Sequence, residues 1–464
     1  MSLIKRTSGI VIPKENNEDL CQRVKTFLTR RTKDFNDNII INTYFLESEK
    51  YLKIPRYFPL HNFTSVEIED QIHPGDDIEI NHTIVPRNES QKLTMDYMLN
   101  SDNGLIQLEP GAGKTVITIR TVAERKKKSF ILVHRDSLAD QWRDRFLQFT
   151  DLKEEHIVRL SSKTFLEDLK SSVVIGTAQT FLSLLDRKRE EFLLALNEAR
   201  FGIFVGDEVH TAVGAPTFSE CSLHIPTKVN FGLSATPDRH DGSGDVIKFH
   251  LGEVFADSSS DGTMKAKVIM ATCDFGIDIP YRHKWLYWQG KFQRSRYLNM
   301  MEKSLMFDQV VRQMISKLES ENRNSLIVCE RLSLLDKLFT YVVNEDKKMF
   351  TAGNKNINLE AQYVFSTPGK IRDGVDAPWK DALIMTSPIS NIAQICGRIV
   401  RLHKDKKMPI IFDIVDSGCK LIGCSSKKRI EYYESKDWDI VYVSINDHGK
   451  KVIDKKEFLK IAIR

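Results

Sequence analysis

Glu109, Pro110, Gly111, Ala112, Gly113, Lys114 and Thr115 form a run that joins small residues to a cation and a hydroxyl. Gly111 and Gly113 let backbone N–H groups turn inward around an anion, with Pro110 and Ala112 completing the cradle. A helix starting at Lys114 adds favourable potential for phosphate. Lys114 would reach the β- and γ-phosphates of ATP, and Thr115 would coordinate magnesium. The run departs from the G-x-x-x-x-G-K-[ST] pattern at its first glycine, which is Leu108. Further along stand Asp207, Glu208, Val209 and His210. Asp207 is the expected acid for hydrated magnesium, and Glu208 the group that orients or deprotonates the attacking water. Later still, Gln394, Gly397, Arg398 and Arg401 supply an amide and two cations that could meet charge developing on a transferring phosphoryl group. Gln91, upstream of the loop, has an amide suited to the donor and acceptor edge of adenine.

Something must hold these groups together, and the apolar runs show what. Leu105–Leu108, Ser129–Val133, Val173–Ile175, Phe201–Val205 and Val229–Leu233 read as strands. Each ends at a polar or glycine-bearing motif, and helical patterns follow several. That alternation predicts a parallel α/β sheet with its ligands at the carboxyl ends of the strands. Glycine, serine and aspartate cluster over 257–262, as at a domain junction. A second series follows, with strands at Ser325–Val328, Tyr363–Phe365, Ala382–Met385 and Ile410–Ile414. Ahead of both, Glu18–Arg31 reads as a short amphipathic helix, Asn38–Leu46 as a strand and Tyr51–Ile54 as its returning partner.

The 464 residues fit two or three domains, and 41% hydrophobic with 28% charged residues describes a soluble globular chain. No run of apolar residues is long enough for a membrane span, and Met1–Thr7 lacks the apolar stretch of a secretory signal. A cytoplasmic location is expected, that of the host if the source is a virus or phage. The net charge of +5 permits nucleic-acid binding without proving it. Seven scattered cysteines form no CxxC pair, so reduced buried thiols are expected and no metal beyond the magnesium that accompanies ATP.

Over residues 86 to about 416 the chain resembles superfamily 2 helicases of the DExH type. Ile131-Leu132-Val133-His134-Arg135 with Gln141-Trp142, and Gly176-Thr177-Ala178-Gln179-Thr180, are similar to the helicase motifs that face nucleic acid. Ser234-Ala235-Thr236-Pro237 resembles the motif that couples hydrolysis to movement. Thr367, Gly374, Val375 and Asp376 lie in a segment like motif V, and Gln394 to Arg401 resembles motif VI. Arg239 and Asp241-Gly242 narrow the resemblance to the branch that holds XPB-like repair translocases, UvsW-like phage branch-migration helicases and restriction-enzyme motor subunits.

The resemblance implies two RecA-like parallel-sheet lobes behind a small N-terminal α+β domain. The expected divisions are an accessory, DNA-engaging domain at 1–83, an ATP-binding lobe at 84–256, a linker at 257–300 and a second lobe at 301–464. It also implies that Gly374 and Asp376 contact nucleotide, that His210, Ser234 and Thr236 couple the sites, and that Arg135, Thr177 and Thr367 follow a phosphate backbone. The activity implied is ATP-dependent unwinding or branch migration of branched or partly single-stranded DNA, by a monomer open to other replication or recombination proteins. The rivals are a duplex translocase that remodels protein–DNA complexes, an RNA-directed helicase and a nucleic-acid scaffold with a vestigial ATPase.

Residues 281–297 interleave Arg282, Lys284, Lys291, Arg294 and Arg296 with six aromatics, Trp285 and Trp288 among them. Such a segment can bind phosphate and stack on bases. It can equally be a helical connection whose aromatics fill core.

Overall fold

The computed structural model describes residues 3–33, 39–108, 112–209, 214–234, 244–256, 263–276, 286–289, 291–351, 359–372, 377–389, 392–446 and 449–463. The chain divides into two compact units, Met1–Asp261 and Gly262–Arg464.

Continuous apolar runs belong to strands covered on both faces. In the first unit Ser129–Val133, Val173–Thr177, Ile203–Gly206 and Val229–Ser234 are buried along their whole length. With Asn103–Gln107 and two short edge strands they make one sheet. Its order is Ile157–Arg159, Val173–Thr177, Ser129–Val133, Ile203–Gly206, Val229–Ser234, Asn103–Gln107, Val254–Ala256. Every ladder is parallel. Alternate residues serve opposite faces. Ile131 and Val133 pack with Ile117, Val122, Trp142 and Phe146, whereas Phe130 and Leu132 pack with Phe181, Leu184 and Phe192. Helices Lys114–Arg125, Asp136–Phe149, Ala178–Arg187 and Arg189–Glu198 supply these cores. Burying each large side chain is worth about 1.5–3 kcal/mol.

The N-terminal segment has a sheet of its own, in the order Leu46–Glu47, Tyr51–Ile54, Ile10–Pro13, Ile4–Arg6, Ile68–Asp70. This corrects the expected pairing of Asn38–Leu46 with Tyr51–Ile54. Tyr51–Ile54 lies between Ile10–Pro13 and Leu46–Glu47, because Leu52 and Ile54 alternate into one core with Ile10 and Ile12. Strand Ile39–Thr43 pairs instead with Thr29–Lys33, in a separate two-stranded ribbon. The helix stops at Phe27, short of Arg31. Leu28 closes it through an N–H to the Val24 carbonyl, and the chain then turns into the ribbon.

This segment is fastened to the parallel sheet's flank. Ser8 Oγ donates to the Leu223 carbonyl at 2.7 Å, Tyr57 N–H to Phe249 at 2.7 Å, and Arg56 to the carbonyls of Thr227 and Lys228. Ile80 and Ile84 straddle the expected division at 83, yet both are buried in the core of the parallel sheet. The approach to that core is close at Gly75, where φ is +82° and a Cβ would lie 2.1 Å from Gly202 Cα. Only glycine fits.

In the second unit the strand order is Lys347–Phe350, Tyr363–Ser366, Ser325–Val328, Ala382–Met385, Ile410–Asp416, Lys267–Cys273, Asp439–Asn446, Gly449–Ile453. All neighbours are parallel except the last pair, an antiparallel hairpin. Lys267–Cys273 falls within the segment expected to link the lobes. It is instead an interior strand, bonded to Ile410–Asp416 on one side and Asp439–Asn446 on the other.

Candidate functional site

The carboxyl ends of the first unit's parallel strands carry the expected chemistry. Gln107 and Leu108 lead toward the phosphate loop, Val133 toward Arg135, Thr177 ends its strand, Gly206 precedes Asp207, and Ser234 ends another. Backbone bonds tie these ends together: Asp207 N–H to the Leu132 carbonyl at 2.8 Å, Leu108 N–H to Ser234 at 3.1 Å and Val209 N–H to Leu233 at 3.2 Å.

Leu108 replaces the usual glycine without strain. Its side chain joins the core, and its carbonyl accepts Lys114 Nζ at 3.0 Å. Gly113 does need to be glycine. Its φ is +91°, and a Cβ there would stand 2.6 Å from Gln91 Nε2 and 3.1 Å from an Arg87 guanidinium nitrogen. Gln91 is buried against the loop. Its Nε2 donates to the Ala112 carbonyl at 2.8 Å and its Oε1 accepts Arg87 N–H at 2.9 Å. One amide hydrogen and one lone pair are left over from those two bonds, the pair that an adenine edge needs. Asn88 caps the helix beneath, accepting Gln91 N–H at 2.9 Å, a bond worth about 1 kcal/mol. Thr115 is half-buried one residue into the following helix.

Asp207 is buried, and Trp142 Nε1 donates to its Oδ2 at 2.8 Å. Burial and the neighbouring Glu208 carboxylate push its carboxyl up to about 6, against the Trp142 N–H and the Lys114 ammonium. Glu208 holds a φ of +49°, in the left-handed region. Non-glycine residues held there carry strain of about 1–3 kcal/mol and cluster at functional positions. A desolvated carboxylate beside a second acid is a site that gains from a divalent cation, so the donor set fits magnesium at Asp207 with Thr115. An ion bound there would neutralise phosphate charge.

Sequence reasoning placed Trp142 within a motif but gave it no role. The usable signal was its type, since a buried indole N–H needs an acceptor. Trp142→Phe should remove a bond to a charged group worth about 1.5–3 kcal/mol and raise the Asp207 pKa further. An acid raised above its ordinary value of 3.8 favours the folded state while protonated, and that advantage is lost as pH rises toward about 6. Magnesium needs the anion and so competes with the proton below about pH 6. The variant should move the acid limb of magnesium affinity upward, read by calorimetric titration across pH. An unmoved limb would deny Trp142 this role.

The Thr177 hydroxyl accepts Thr180 N–H at 3.1 Å and donates to Thr180 Oγ1 at 2.9 Å, capping helix Ala178–Arg187. Arg135 is exposed ahead of helix Asp136–Phe149. Ser234 is fully buried.

In the second unit Thr367 is half-buried after strand Tyr363–Ser366, and its carbonyl accepts Ile371 N–H at 3.2 Å. Gln394 and Arg398 lie half-buried on helix Ala393–Ile399. Arg401 lies beyond that helix rather than one turn along it, because the backbone there crosses into a bridge with Thr263. The Arg401 carbonyl accepts Lys406 Nζ at 2.9 Å. Burial lowers that lysine to about 8, with Arg401 adding repulsion against the pull of Asp381. Close to the helix, near its buried Cys396, a buried ion pair joins Arg429 Nε to Asp413 Oδ2 at 2.8 Å, and Tyr433 donates to the same oxygen at 2.9 Å.

Trp288 is 59% exposed on a short hairpin, Tyr287–Trp288 with Lys291–Phe292, and the Arg296 guanidinium stands 5.6 Å from its ring centroid. Leu286 and Tyr297 are core. The described part of the segment thus places some aromatics in the core and Trp288 at the surface. Pro110, Gly111, His210, Thr236, Trp285, Gly374 and Asp376 lie outside the described residues.

Two parallel α/β lobes, one carrying a lysine and two acids at its strand ends, have the architecture of the RecA-like class. Residues 79–239 match the family "Type III restriction enzyme, res subunit". A protein of Acanthamoeba polyphaga mimivirus, L396, whose name describes an ATP-dependent RNA helicase, is 24% identical over 441 residues, covering 90% of this chain and 81% of its own. The XPB helicase/translocase subunit of transcription and DNA repair factor IIH from Encephalitozoon cuniculi is 24% identical over 246 residues, which span 50% of this chain and 35% of that one. The structure of S. cerevisiae Dbp5 bound to RNA and ADP BeF3 superposes with a TM-score of 0.53 at 14% identity, over 81% of this chain and 93% of that one, a likeness of fold. These likenesses support an ATP-dependent helicase of superfamily 2 with XPB-like relatives. No helix among the described residues is long and apolar enough to cross a membrane.

Proposed function

We propose that the chain is a magnesium- and ATP-driven DNA motor that opens or migrates branched DNA, at forks or Holliday junctions, as a monomer. The observation that carries the hydrolytic part is the desolvated Asp207 carboxylate, within electrostatic reach of Lys114 and Glu208 and held by Trp142. Lys114 and the loop bind the triphosphate, Asp207 and Thr115 hold the metal, and Glu208 takes the proton of the attacking water. Gln91 reads adenine, Gly374 and Asp376 contact the nucleotide, and His210, Ser234 and Thr236 couple the cycle to movement. Gln394, Arg398 and Arg401 answer the charge on the transferring phosphoryl.

DNA is favoured as the track by the likeness to the XPB subunit, named for transcription and DNA repair. The mimivirus relative, named for RNA, keeps an RNA track as the second reading. Arg135, Thr367 and the exposed Trp288 supply contacts that ignore base sequence, which suits a stepping motor. The N-terminal segment, residues 1–83, is the branch-engaging module in this reading, and cytoplasm is its place of work. The deciding experiment is ATPase stimulation by DNA and by RNA, followed by strand displacement on forks, Holliday junctions, R-loops and blunt duplexes. DNA-stimulated turnover with displacement only of branched substrates is the expected result. Equal displacement of blunt duplexes would remove the branch preference, and stimulation by RNA alone would move the track.

A further inference from the structure

The ribbon of Thr29–Lys33 and Ile39–Thr43 stands apart from both sheets of the first unit. Its base is fixed. Leu28 and Tyr44 are buried, and Tyr44 N–H donates to the Leu28 carbonyl at 3.1 Å. Thr29 Oγ1 donates to the Lys25 carbonyl at 2.7 Å. Its second strand carries three large apolar side chains in the open. Ile39, Ile40 and Ile41 are 66%, 44% and 60% exposed. Successive strand residues face opposite ways, so Ile39 and Ile41 lie on one face and Ile40 on the other. Large apolar side chains left in water on a fixed element mark an interaction surface. A partner that docked on one face would leave the other wet. An occupant present on both sides, such as two strands parting around the ribbon, covers all three.

The neighbouring charges identify that occupant. Register pairs the exposed Arg31 with Ile41 and Arg30 with Asn42. At the ribbon's foot the Arg30 guanidinium stands 5.1 Å from the centroid of the Phe27 ring, and Arg23 stands 5.7 Å from Phe63. Cations beside apolar and aromatic surface suit phosphates beside bases. We infer that this ribbon is a strand-separating wedge for a nucleic-acid duplex, with Ile39, Ile40 and Ile41 against the terminal base pair and Arg31 on a flanking phosphate. Apolar wedges of this kind unstack base steps.

This inference rests on the DNA-motor reading above, and the test separates the two. In the full-length chain, Ile39, Ile40 and Ile41 are all replaced by Thr, which keeps β-branching and strand preference. Melting temperature, ATPase on single-stranded DNA and displacement of a forked duplex are then measured. The expected result is unchanged melting, unchanged ATPase and displacement reduced at least ~10-fold, because the unstacking of the terminal base step is no longer offset. Undiminished displacement overturns the wedge and leaves the motor standing. A joint loss of melting temperature and ATPase also overturns it, by making the isoleucines structural. Arg31→Ala gives an independent arm. It should weaken fork binding and lower the salt dependence by about one phosphate contact, and an unchanged salt slope counts against the wedge. A wild-type chain whose ATPase ignores every nucleic acid sinks the motor reading itself.

Discussion

Glu208→Gln should give a protein that binds ATP normally and turns it over ~10²–10⁴-fold more slowly, the usual contribution of a positioned general base. The amide matches the carboxylate in size and can keep the left-handed backbone at this position, so the loss isolates proton transfer from packing. A second consequence distinguishes this variant from a generally damaged one. The Glu208 charge helps to raise the Asp207 carboxyl, and its removal should let Asp207 ionise at lower pH. Magnesium affinity in mildly acidic solution should therefore improve while hydrolysis fails. Lys114→Ala should do the opposite, weakening the nucleotide complex itself by removing the charge opposite its β- and γ-phosphates. Equilibrium binding of ATP beside single-turnover hydrolysis reads both. Near-normal turnover in Glu208→Gln would take the base role away from Glu208.

Arg401→Ala should lower kcat by ~10³-fold or more while leaving ATP affinity nearly intact, the scale of an arginine that meets charge only in the transition state. The backbone at Arg401 is held by its bridge to Thr263, and its carbonyl by Lys406 Nζ. Truncating the side chain leaves both in place. Arg398 stands on the helix, and its replacement provides the comparison within the same motif. A rise in KM with kcat preserved would make Arg401 a ground-state contact.

The residues that betrayed their positions in the sequence were those whose burial is complete. Ser129–Val133, Ser325–Val328 and Ala382–Met385 are interior parallel strands, and an unbroken apolar run bounded by polar residues has few other uses. Edge strands gave no such signal. Ile157–Arg159 and Lys347–Phe350 are half solvated and read as mixed sequence. Lys267–Cys273 was apolar enough, but the glycine- and aspartate-rich stretch ahead of it suggested a linker. Only the later strands beside it show that it belongs in the middle of a sheet. The lysine and the acids were legible because their chemistry is local. Trp142 on Asp207 and Gln91 against Ala112 depend on contacts across the fold, which spacing does not encode. Arg401 left the expected helix for a similar reason, since its bridge partner Thr263 is remote in sequence.

The strand Lys267–Cys273 also sets a timetable. Its two neighbours, Ile410–Asp416 and Asp439–Asn446, lie far downstream. During synthesis it must wait with both edges unbonded until most of the second unit has been made. In the first unit Asn103–Gln107 waits in the same way for Val229–Ser234 and Val254–Ala256, but all of that unit's ladders close within Met1–Asp261, before the second unit is made. Domains of this kind fold in the order of their emergence, and exposed strand edges are where partly made chains associate. Ribosome-bound fragments that end before Ile410 should therefore acquire protease resistance in the first unit alone and depend on holding factors to stay dispersed.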